Sequence, residues 1–577
     1  MQNASPTEPP HPLRDSSAWL SHLAFAAVLL YFAYVYSGIL FLTEGVTERD
    51  GFYHARYSQM LPQRGLSREL PWMQFTDWKE HFCDKDFLYH VYLVPFTRNA
   101  AEPLPGAKWG TLVLFLGALT ALYFVLRKWN VPFAVLWVAL LGVGSAYFLT
   151  RMFMVRSHCL SVLLMIVAVH VILKRRFWPC FAMAFLYAWS YSVPLAMLIA
   201  ACVAEAGRFF VQEPRPQGSG ISRDWKQSAR MPLATTAGLL AGLAIHPYTP
   251  YSLKSIWMFV EIIRSGQLGS DVELGSEFQH MTGAAAFTVS IGTTVAALAA
   301  LIGALLLFTR VVKNRTLAPE TAAIVALSTA WFVSMFISFE RFIEYAAPIA
   351  CLACGFVARD MLGPLPPFNR LAEKPRLIAL AGVGLFVMIL AGLHSFTYNV
   401  TFQFFKLSFD RFAEIAVRYD QNKGDLSAKE KEERQWVLLR ERYFDGAGNW
   451  MRANLKPGTV VANFYWDDFP ELFYGTPEMY YLVGLDPTFM RLSYPEKSKA
   501  LEDMRVKETP GGALVRGASP LDFAKIKALF GSKYTILRRY RAAKYVELLD
   551  ENKRLKPAAA HGKIVYQDSL AVIYESD

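Results

Sequence analysis

Residues 49–56 read RDGFYHAR, which brings an acid, a histidine and two arginines into one short segment. The segment directly follows a long apolar run, so we expect it where a membrane helix meets the lipid headgroups. A carboxylate at that depth can bind a divalent cation, and a cation with nearby arginines can hold a lipid-linked phosphate. A charged cap on the end of a membrane helix is the alternative that these residues leave open.

Three later segments also combine charged and aromatic side chains: residues 271–280 (DVELGSEFQH), 339–348 (FERFIEYAAP) and 464–469 (FYWDDF). In the second segment, ionisable groups lie at the start of an apolar run. Charge at that depth is costly and marks either a binding pathway or an internal ion pair, here between Arg341 and a neighbouring glutamate. In the third segment, aromatic rings beside acids suit carbohydrate or peptide recognition.

Residues 75–90 (FTDWKEHFCDKDFLYH) are dense in acids, histidines and aromatics. Their spacing fits no defined metal-ligand pattern, which favours a packed, amphipathic loop at the membrane interface over a metal site. The six cysteines of the chain show neither a disulfide framework nor a zinc spacing.

The elements that position these segments are predicted to be membrane helices. Of the 577 residues, 54% are hydrophobic and 19% are charged, whereas soluble globular chains carry about 25% charged residues. In a soluble protein, the net charge of +11 would suggest nucleic-acid binding. Here the basic residues concentrate in short loops between apolar runs, which is a membrane-topology signal and argues against a nucleic-acid partner.

About twenty apolar residues are needed to cross a bilayer as a helix. The apolar runs predict about eleven spans, at 18–43, 108–126, 131–149, 158–173, 178–190, 195–209, 232–246, 284–309, 319–338, 342–358 and 376–396. We interpret residues 190–194 (SYSVP) as a break between two short spans. A single continuous span there would destroy the alternation between basic and non-basic loops.

Lysines and arginines accumulate in alternate loops, which marks those loops as cytoplasmic. The short loops on the opposite side contain only Arg151, Arg156 and Arg341. The N-terminus is therefore predicted to be cytoplasmic, and the protein is predicted to lie in the cell (inner) membrane. Two long loops, 44–107 and 247–283, are predicted to be extracytoplasmic.

The chain is predicted to divide into a transmembrane domain, 1–396, and an extracytoplasmic, periplasmic domain of mixed α/β structure, 397–577, here called the tail. The predicted elements of the tail are helices at 402–420 and 427–442, a strand at Thr459–Asn463 and a hairpin within 563–575.

Taken in order, these segments resemble the GT-C glycosyltransferases, and most of all the catalytic subunit of archaeal and bacterial oligosaccharyltransferases. Residues 50–56 closely match an Asp-x-Tyr-Tyr-His-x-Arg setting after the first span of that family. Residues 275–280 (GSEFQH) are similar to a Ser-x-Ser-Glu type motif in a mobile outer loop. Arg341 and Pro348 match an arginine and proline that open a late span, and residues 465–468 (YWDD) partly match a Trp-Trp-Asp-Tyr type motif.

The resemblance implies a mainly α-helical, GT-C-like membrane fold and transfer of a sugar or oligosaccharide from a polyprenyl-phosphate or polyprenyl-pyrophosphate donor. The transfer would be assisted by a divalent cation, Mg or Mn. The implied site residues are Asp50 and Glu277 for catalysis, Arg341 and Arg56 for the donor phosphate, Tyr465, Trp466 and Asp467 for the acceptor, and Asp50 with His158 as candidate metal ligands.

Two departures from the family pattern leave alternatives open. Residues 151–158 (RMFMVRSH) follow the third span, where the family has a second acidic pair, but they contain no carboxylate. Residues 466–468 lack the tyrosine and glycine of the acceptor-binding motif, so the acceptor can be a protein, a lipid or a polysaccharide. A catalytically inactive relative that binds glycans or acts as a scaffold is one rival. A transporter or flippase is another, although no interrupted spans occur in matching halves.

Overall fold

The computed structural model describes residues 16–42, 44–46, 48–211, 225–267, 280–312, 314–363, 375–377, 380–399, 442–505, 522–539, 541–542, 562–568 and 570–577. Glu277 lies outside these residues, and so do the predicted helices at 402–420 and 427–442, apart from residue 442.

The described helices before the tail include both membrane helices and the helices of the outer loops. They are α1 (Ser16–Leu40), α2 (Asp50–Arg64), α3 (Phe87–Thr97), α4 (Pro103–Lys128), α5 (Ala134–Val143), α6 (Ala146–Met152), α7 (His158–Leu173), α8 (Phe177–Ser190), α9 (Leu195–Phe210), α10 (Trp225–Ala244), α11 (Tyr251–Gln267), α12 (Gly283–Thr288), α13 (Ile291–Phe308), α14 (Pro319–Ile337), α15 (Ile343–Leu362) and α16 (Pro375–Asn399).

Each predicted span overlaps helical structure where it is described, although 131–149 is divided between α5 and α6 and 284–309 between α12 and α13. The chain breaks between α8 and α9, as the loop charges predict. Within the described ranges, six helices are long and apolar enough to cross a membrane, or seven if α5 and α6, bent by 82°, form one broken span. The multi-pass membrane architecture is thereby confirmed. The count of eleven spans stays a prediction, because α7, α8 and α9 contain only 16, 14 and 16 residues.

Glycines allow two of the membrane helices to approach closely. α10 packs along α8, and a Cβ atom at Gly238 would come within 2.3 Å of the carbonyl oxygen of Phe181. One turn later, a Cβ at Gly242 would lie 2.9 Å from the carbonyl oxygen of Phe185. Such contact is typical of helix pairs in lipid, where close backbone packing replaces the hydrophobic driving force available in water.

The first outer loop, 44–107, contains α2 and α3, which pack against each other and against α4. α2 begins at Asp50, and a carboxylate in the first turn interacts favourably with the positive end of the helix dipole. The helix ends at Arg64 and is followed by Gly65, whose φ of 68° is a conformation that glycine adopts without strain. Both ends of α2 are therefore defined by local sequence.

The described part of the tail is a five-stranded sheet with short helices. Its elements are α17 (Asp445–Asn454), β1 (Val460–Asn463), α18 (Phe469–Gly475), β2 (Tyr480–Tyr481), α19 (Pro487–Ser493), α20 (Pro495–Met504), α21 (Phe523–Phe530), β3 (Tyr534–Arg538), β4 (Gly562–Gln567) and β5 (Ala571–Ser576). The strand order is β2-β1-β3-β5-β4. β1 is parallel to β2 and β3, and β5 is antiparallel to β3 and β4. The predicted strand and the predicted hairpin are confirmed.

The outer loop 44–107 and the tail share one hydrophobic core. At the sheet edge, the Tyr481 N–H donates to the carbonyl of Trp72 at 2.8 Å, and the Tyr481 carbonyl accepts from the Gln74 N–H at 2.9 Å. Trp78 packs on Phe489 with the ring centroids 4.2 Å apart. Because these contacts join segments that are far apart in sequence, they fix the described part of the tail against loop 44–107 and its helix α2.

Candidate active site

A cavity of about 400 Å³ lies where the membrane helices meet the core shared by outer loop and tail. Small-molecule sites usually have a volume of about 300–1,000 Å³. Acidic side chains outnumber basic ones in its wall. The acids are Glu48, Asp50, Asp84, Asp86, Glu340 and Asp486, and the bases other than histidine are Lys85, Arg151, Arg156 and Arg341.

Asp50, the residue with the most specific sequence signal, lies in this wall at the start of α2. Its carboxylate forms an ion pair with the guanidinium of Arg156, which comes from the short turn between α6 and α7. Arg156 Nε also lies 3.4 Å from Glu48 Oε2, and the Asp50 N–H donates to Glu48 Oε1 at 3.1 Å. One guanidinium thus holds two carboxylates of the outer loop in place.

Gly51 makes this ion pair sterically accessible. A Cβ atom at Gly51 would lie 3.1 Å from the Cβ of Val155 and 3.2 Å from the Cγ1 of Val46. Both distances are shorter than ordinary van der Waals contact. The absence of a side chain therefore allows the start of α2 to approach the turn that carries Arg156.

Arg341 is far from Asp50 in sequence but lines the same cavity. It lies in the 3-10 turn Glu340–Phe342 before α15. Its guanidinium donates to the Tyr191 hydroxyl at 2.6 Å. The neighbouring Glu340 accepts a hydrogen bond from the Tyr147 hydroxyl at 2.6 Å. The tyrosines thus orient both charged side chains of this turn.

A buried ion pair joins Arg151 to Glu344. Arg151 Nε donates to Glu344 Oε1 at 2.9 Å, and the two side chains are only 2% and 1% exposed. The Tyr191 hydroxyl donates to Glu344 Oε2 at 3.3 Å and so connects this pair to Arg341. Because unpaired buried charge is strongly destabilising, Glu344 is needed to keep Arg151 in the wall.

Lys85 is fixed at the cavity by Asp86, whose Oδ2 lies 3.1 Å from Lys85 Nζ. Burial alone would raise the pKa of Asp86, but neighbouring groups, chiefly the Lys85 ammonium, lower that pKa to about 2. Asp86 is therefore ionised at any ordinary pH. Burial raises the pKa of Asp486, another carboxyl group of the wall.

The divalent cation that the family resemblance implies needs several ligands that converge on one point. Among the residues that the structure describes, no three His, Cys, Asp or Glu side chains are arranged to do so. The two predicted ligands are engaged by other groups: Asp50 pairs with Arg156, and His158 Nε2 lies 2.6 Å from the Arg151 carbonyl oxygen. The described donor set does not fit a metal ion.

Of the three predicted acceptor residues, only Trp466 lines the cavity. Tyr465 is buried, with the guanidinium of Arg541 3.6 Å from its ring centroid. Asp467 pairs with Arg541 at 3.2 Å and Arg538 at 3.3 Å. Burial would raise the pKa of Asp467, but Arg541 and Arg49 lower it.

The same cluster connects the tail to the residue before Asp50. Arg49 Nη1 lies 3.7 Å from Asp467 and 3.5 Å from Asp468. Asp468 also pairs with Arg538 and Arg541. The aspartates that follow Trp466 thus anchor the start of α2 and, through it, the position of Asp50.

Arg56 does not line the cavity. Its Nε donates to the carbonyl oxygen of Tyr474 at 2.8 Å, and its guanidinium lies 4.7 Å from the centroid of the Tyr474 ring. It links α2 to the tail helix α18.

The structure assigns to the cavity several residues that motif matching missed, above all Arg151, Arg156, Tyr191 and Lys85. A signal for the arginines was present in the sequence. Arg151, Arg156 and Arg341 are the only basic residues of the predicted short outer loops, and all three line the cavity. Their departure from the usual charge distribution therefore marks the site.

The solved structures to which this chain is similar include three membrane glycosyltransferases of the GT-C superfamily. The Archaeoglobus fulgidus oligosaccharyltransferase in its apo form has a TM-score of 0.55 at 13% identity, over 97% of this chain and 75% of that chain. ArnT from Cupriavidus metallidurans in the apo state has a TM-score of 0.50 at 12% identity, over 97% and 98%. Arabinofuranosyltransferase AftD from Mycobacteria has a TM-score of 0.51 at 13% identity, over 97% and 40%.

No protein-family model and no curated protein matches the chain. At such low identity the structural likeness establishes the fold alone. The chain has the GT-C fold of membrane glycosyltransferases, as its motifs predict.

Proposed function

We propose that this protein is an integral membrane glycosyltransferase that transfers a sugar or oligosaccharide from a polyprenyl-phosphate or polyprenyl-pyrophosphate donor to an acceptor on the extracytoplasmic side. The observation that carries the proposal is the cavity at the ends of the apolar helices, where Asp50 and three arginines meet on a GT-C fold. A polyprenyl chain cannot leave the lipid cheaply. A site at this boundary is therefore suited to a donor with a lipid tail and a polar head.

In this proposal, Arg341 binds the donor phosphate. The reaction is a displacement at the anomeric carbon, in which negative charge develops on the departing phosphate. A guanidinium held by the Tyr191 hydroxyl is already oriented before the reaction, and preorganised charge stabilises such a leaving group effectively. Arg56 is a second phosphate-binding candidate from the sequence, although it contacts Tyr474 here.

Asp50 orients the acceptor, and Arg156 positions Asp50. Trp466 provides an aromatic face in the cavity, which suits the apolar face of a sugar or the side chain of a peptide. Tyr465 and Asp467 support acceptor recognition from the packed cluster behind Trp466. Glu277, outside the described residues, is proposed to assist catalysis from its loop. No step is assigned to a divalent cation, because the described residues do not fit one.

The proposed orientation follows the loop charges: the N-terminus is cytoplasmic, and the tail, 397–577, lies on the periplasmic side of the inner membrane. Residues 1–396 form the proposed transmembrane domain. Because Arg151, Arg156 and Arg341 lie in loops assigned to the outer side, the site faces the compartment of the tail.

The test is consumption of polyprenyl-phosphate and polyprenyl-pyrophosphate sugars by the purified protein in detergent, compared with its Asp50→Asn variant. The matched control is Asp77→Asn, which removes a carboxylate of the same loop that pairs with Lys254 at 2.6 Å and does not line the cavity. We expect the wild type and the control to consume one donor and Asp50→Asn to lose this activity. Wild-type activity in Asp50→Asn would refute the role of Asp50 in the active site. Parallel assays with EDTA or with Mn report whether the activity depends on a metal ion.

One observation favours a second candidate function, a catalytically inactive glycan-binding or scaffold protein. Asp50 is neutralised by Arg156, and the loop after the third predicted span has no carboxylate. Glycan binding that is equal in the wild type and in Asp50→Asn, with no donor consumption, would support this candidate. Movement of donor lipid between the two leaflets of a vesicle membrane, without a glycosidic product, would instead support a flippase.

A further inference from the structure

Two histidines and an aspartate form a buried chain beside the cavity. His54 Nδ1 lies 2.7 Å from His90 Nε2, and His90 Nδ1 lies 2.8 Å from both carboxylate oxygens of Asp84. The three side chains are 5%, 1% and 2% exposed. His54 comes from α2, His90 comes from α3, and Asp84 comes from the segment just before α3.

The hydrogen bonds determine which ring nitrogens carry protons. An ionised Asp84 only accepts, so His90 Nδ1 must be the donor. A neutral His90 then has an accepting Nε2, so His54 Nδ1 must donate to it. This leaves His54 Nε2 with a lone pair and without a proton. The hydrogen bonds from His54 to His90 and from His90 to Asp84 thus leave His54 Nε2 as a proton acceptor.

His54 is placed where a proton acceptor is useful. It lines the cavity, and it lies four residues after Asp50 on α2, which puts the two side chains on one face of the helix. The rings of Tyr53 and Tyr89 pack edge-on against His54, with centroids 5.4 Å away in both cases. Burial holds the pKa of His54 well below its ordinary value, so the ring is neutral before reaction.

Asp50, in contrast, is a poor candidate for the proton acceptor. Its carboxylate already accepts from the Arg156 guanidinium, and an opposite charge at this distance favours the ionised form of a carboxylate. Taking up a proton would therefore break a charge-assisted interaction. The structure supports an orienting role for Asp50 and leaves the proton to another group.

We propose that His54 is the general base of this site and that His90 and Asp84 form the relay behind it, an inference that rests on the proposed glycosyl transfer. His54 Nε2 takes the proton of the acceptor O–H or N–H bond as the acceptor atom bonds to the anomeric carbon. The bond from that carbon to the phosphate oxygen breaks, and its electron pair leaves with the phosphate. In this hydrogen-bond relay His54 becomes an imidazolium whose Nδ1–H stays bonded to His90 Nε2, while His90 Nδ1–H stays bonded to the Asp84 carboxylate, which holds the tautomers and stabilises the positive charge. One proton is gained by His54 and none is lost from the relay. The proton returns to water or to the departing phosphate after turnover.

The first test uses the resting protein and needs no substrate. Nitrogen NMR of protein with ¹⁵N-labelled histidine, with His54 assigned by comparison with His54→Gln, reports which ring nitrogen is protonated. We expect a protonated Nδ1 and an unprotonated Nε2 in the wild type. In Asp84→Asn, the amide donates to His90, both histidines reverse their tautomers, and His54 Nε2 becomes protonated. A protonated Nε2 at His54 in the wild type would overturn the proposal.

The second test uses the donor that the wild type consumes. General bases contribute about 10²–10⁴-fold, so His54→Gln is expected to lower kcat by that factor with little change in KM. Free imidazole should restore turnover in His54→Ala, because it can fill the vacated space and accept the proton. The kcat of Asp84→Asn should fall by up to about 10⁴-fold, as expected when a general base is held in the wrong tautomer.

The chain offers a matched control pair in the same outer loop. His81 Nδ1 lies 3.2 Å from Asp77 Oδ1, and neither residue lines the cavity. His81→Gln and Asp77→Asn are expected to keep wild-type kcat. Wild-type turnover with an unaffected His54→Gln would overturn the relay and leave the glycosyltransferase proposal intact. Absence of wild-type turnover with every donor would instead count against the proposed function, and the NMR result would still decide the tautomer.

Discussion

The substitution Arg156→Gln tests whether Arg156 positions Asp50 for catalysis or only stabilises the fold. Arg156 pairs with Asp50 and lies 3.4 Å from Glu48. At an effective dielectric constant of 20, one such pair attracts by about 5 kcal/mol. The Arg156 and Glu48 side chains are 21% and 22% exposed, so solvent and desolvation reduce the net contribution of a pair to about 1 kcal/mol. We therefore expect a loss of about 1–2 kcal/mol in the free energy of unfolding.

The expected effect on turnover is larger than the effect on stability. Without the guanidinium, Glu48 and Asp50 repel each other, and Asp50 moves away from the acceptor. Misplacement by about 1 Å costs about 10²-fold, so kcat should fall by that factor while KM for the donor changes little. Arg156→Lys keeps the charge but not the two-pronged geometry and should recover part of kcat.

The assay combines steady-state donor consumption with thermal unfolding in detergent. The matched control is Arg175→Gln, because Arg175 forms a comparable ion pair with Glu205 at 2.6 Å and lies outside the cavity lining. We expect similar losses of stability in both glutamine variants and a loss of kcat in Arg156→Gln alone. Equal kcat in the two variants would refute the positioning role of Arg156.

Three further predictions concern the tail. Trp466→Ala should lower kcat/KM for the acceptor about tenfold and Trp466→Phe should retain most of it; equal values for both variants would exclude a role for the aromatic face. Asp468→Ala leaves Arg538, 1% exposed, short of a partner in the buried cluster and should cost about 3 kcal/mol of stability, measured by thermal unfolding; an unchanged Tm would contradict this. Burial raises the pKa of Glu471 to about 8, above its unfolded value of about 4.3. Between these two values the folded state binds one more proton than the unfolded state, so stability falls as pH rises from about 4.3 to about 8. Glu471→Gln should flatten that part of the Tm–pH profile, and an unchanged slope would refute the raised pKa of Glu471.

The sequence predicted the membrane architecture well because each span has its own local signal. Apolar length is a property of one segment, and loop charge distinguishes the two sides of the membrane. The break at residues 190–194 was predictable for that reason, and because the segment itself contains two serines and a proline. The hairpin near the C-terminus was also local, since its strands are adjacent in sequence.

The site was only partly predictable, because its geometry depends on contacts between distant segments. Asp50 and Arg341 were found from motifs, but the partners of both were not. Arg156 pairs with Asp50 across 106 positions, and Tyr191 meets Arg341 across 150. No local pattern specifies such pairs. Only the predicted outer-side location of the arginines, which is unusual for basic residues, pointed to them.

The chain of His54, His90 and Asp84 was hidden for a similar reason. Each residue lies in a segment that combines acids and histidines, 49–56 or 75–90. The spacing within residues 75–90 fits no motif, since the third member of the chain comes from α2, 36 positions before His90. Packing of α2 against α3 brings the rings together, and that packing depends on the core shared with the tail.

The most direct test of the account is a structure of the Asp50→Asn variant with the donor that the wild type consumes. We predict the phosphate of the donor within hydrogen-bonding distance of the Arg341 guanidinium, the sugar in the cavity beside Trp466, and the polyprenyl chain against the membrane helices. A donor headgroup bound elsewhere, with the cavity occupied by water alone, would contradict the central claim.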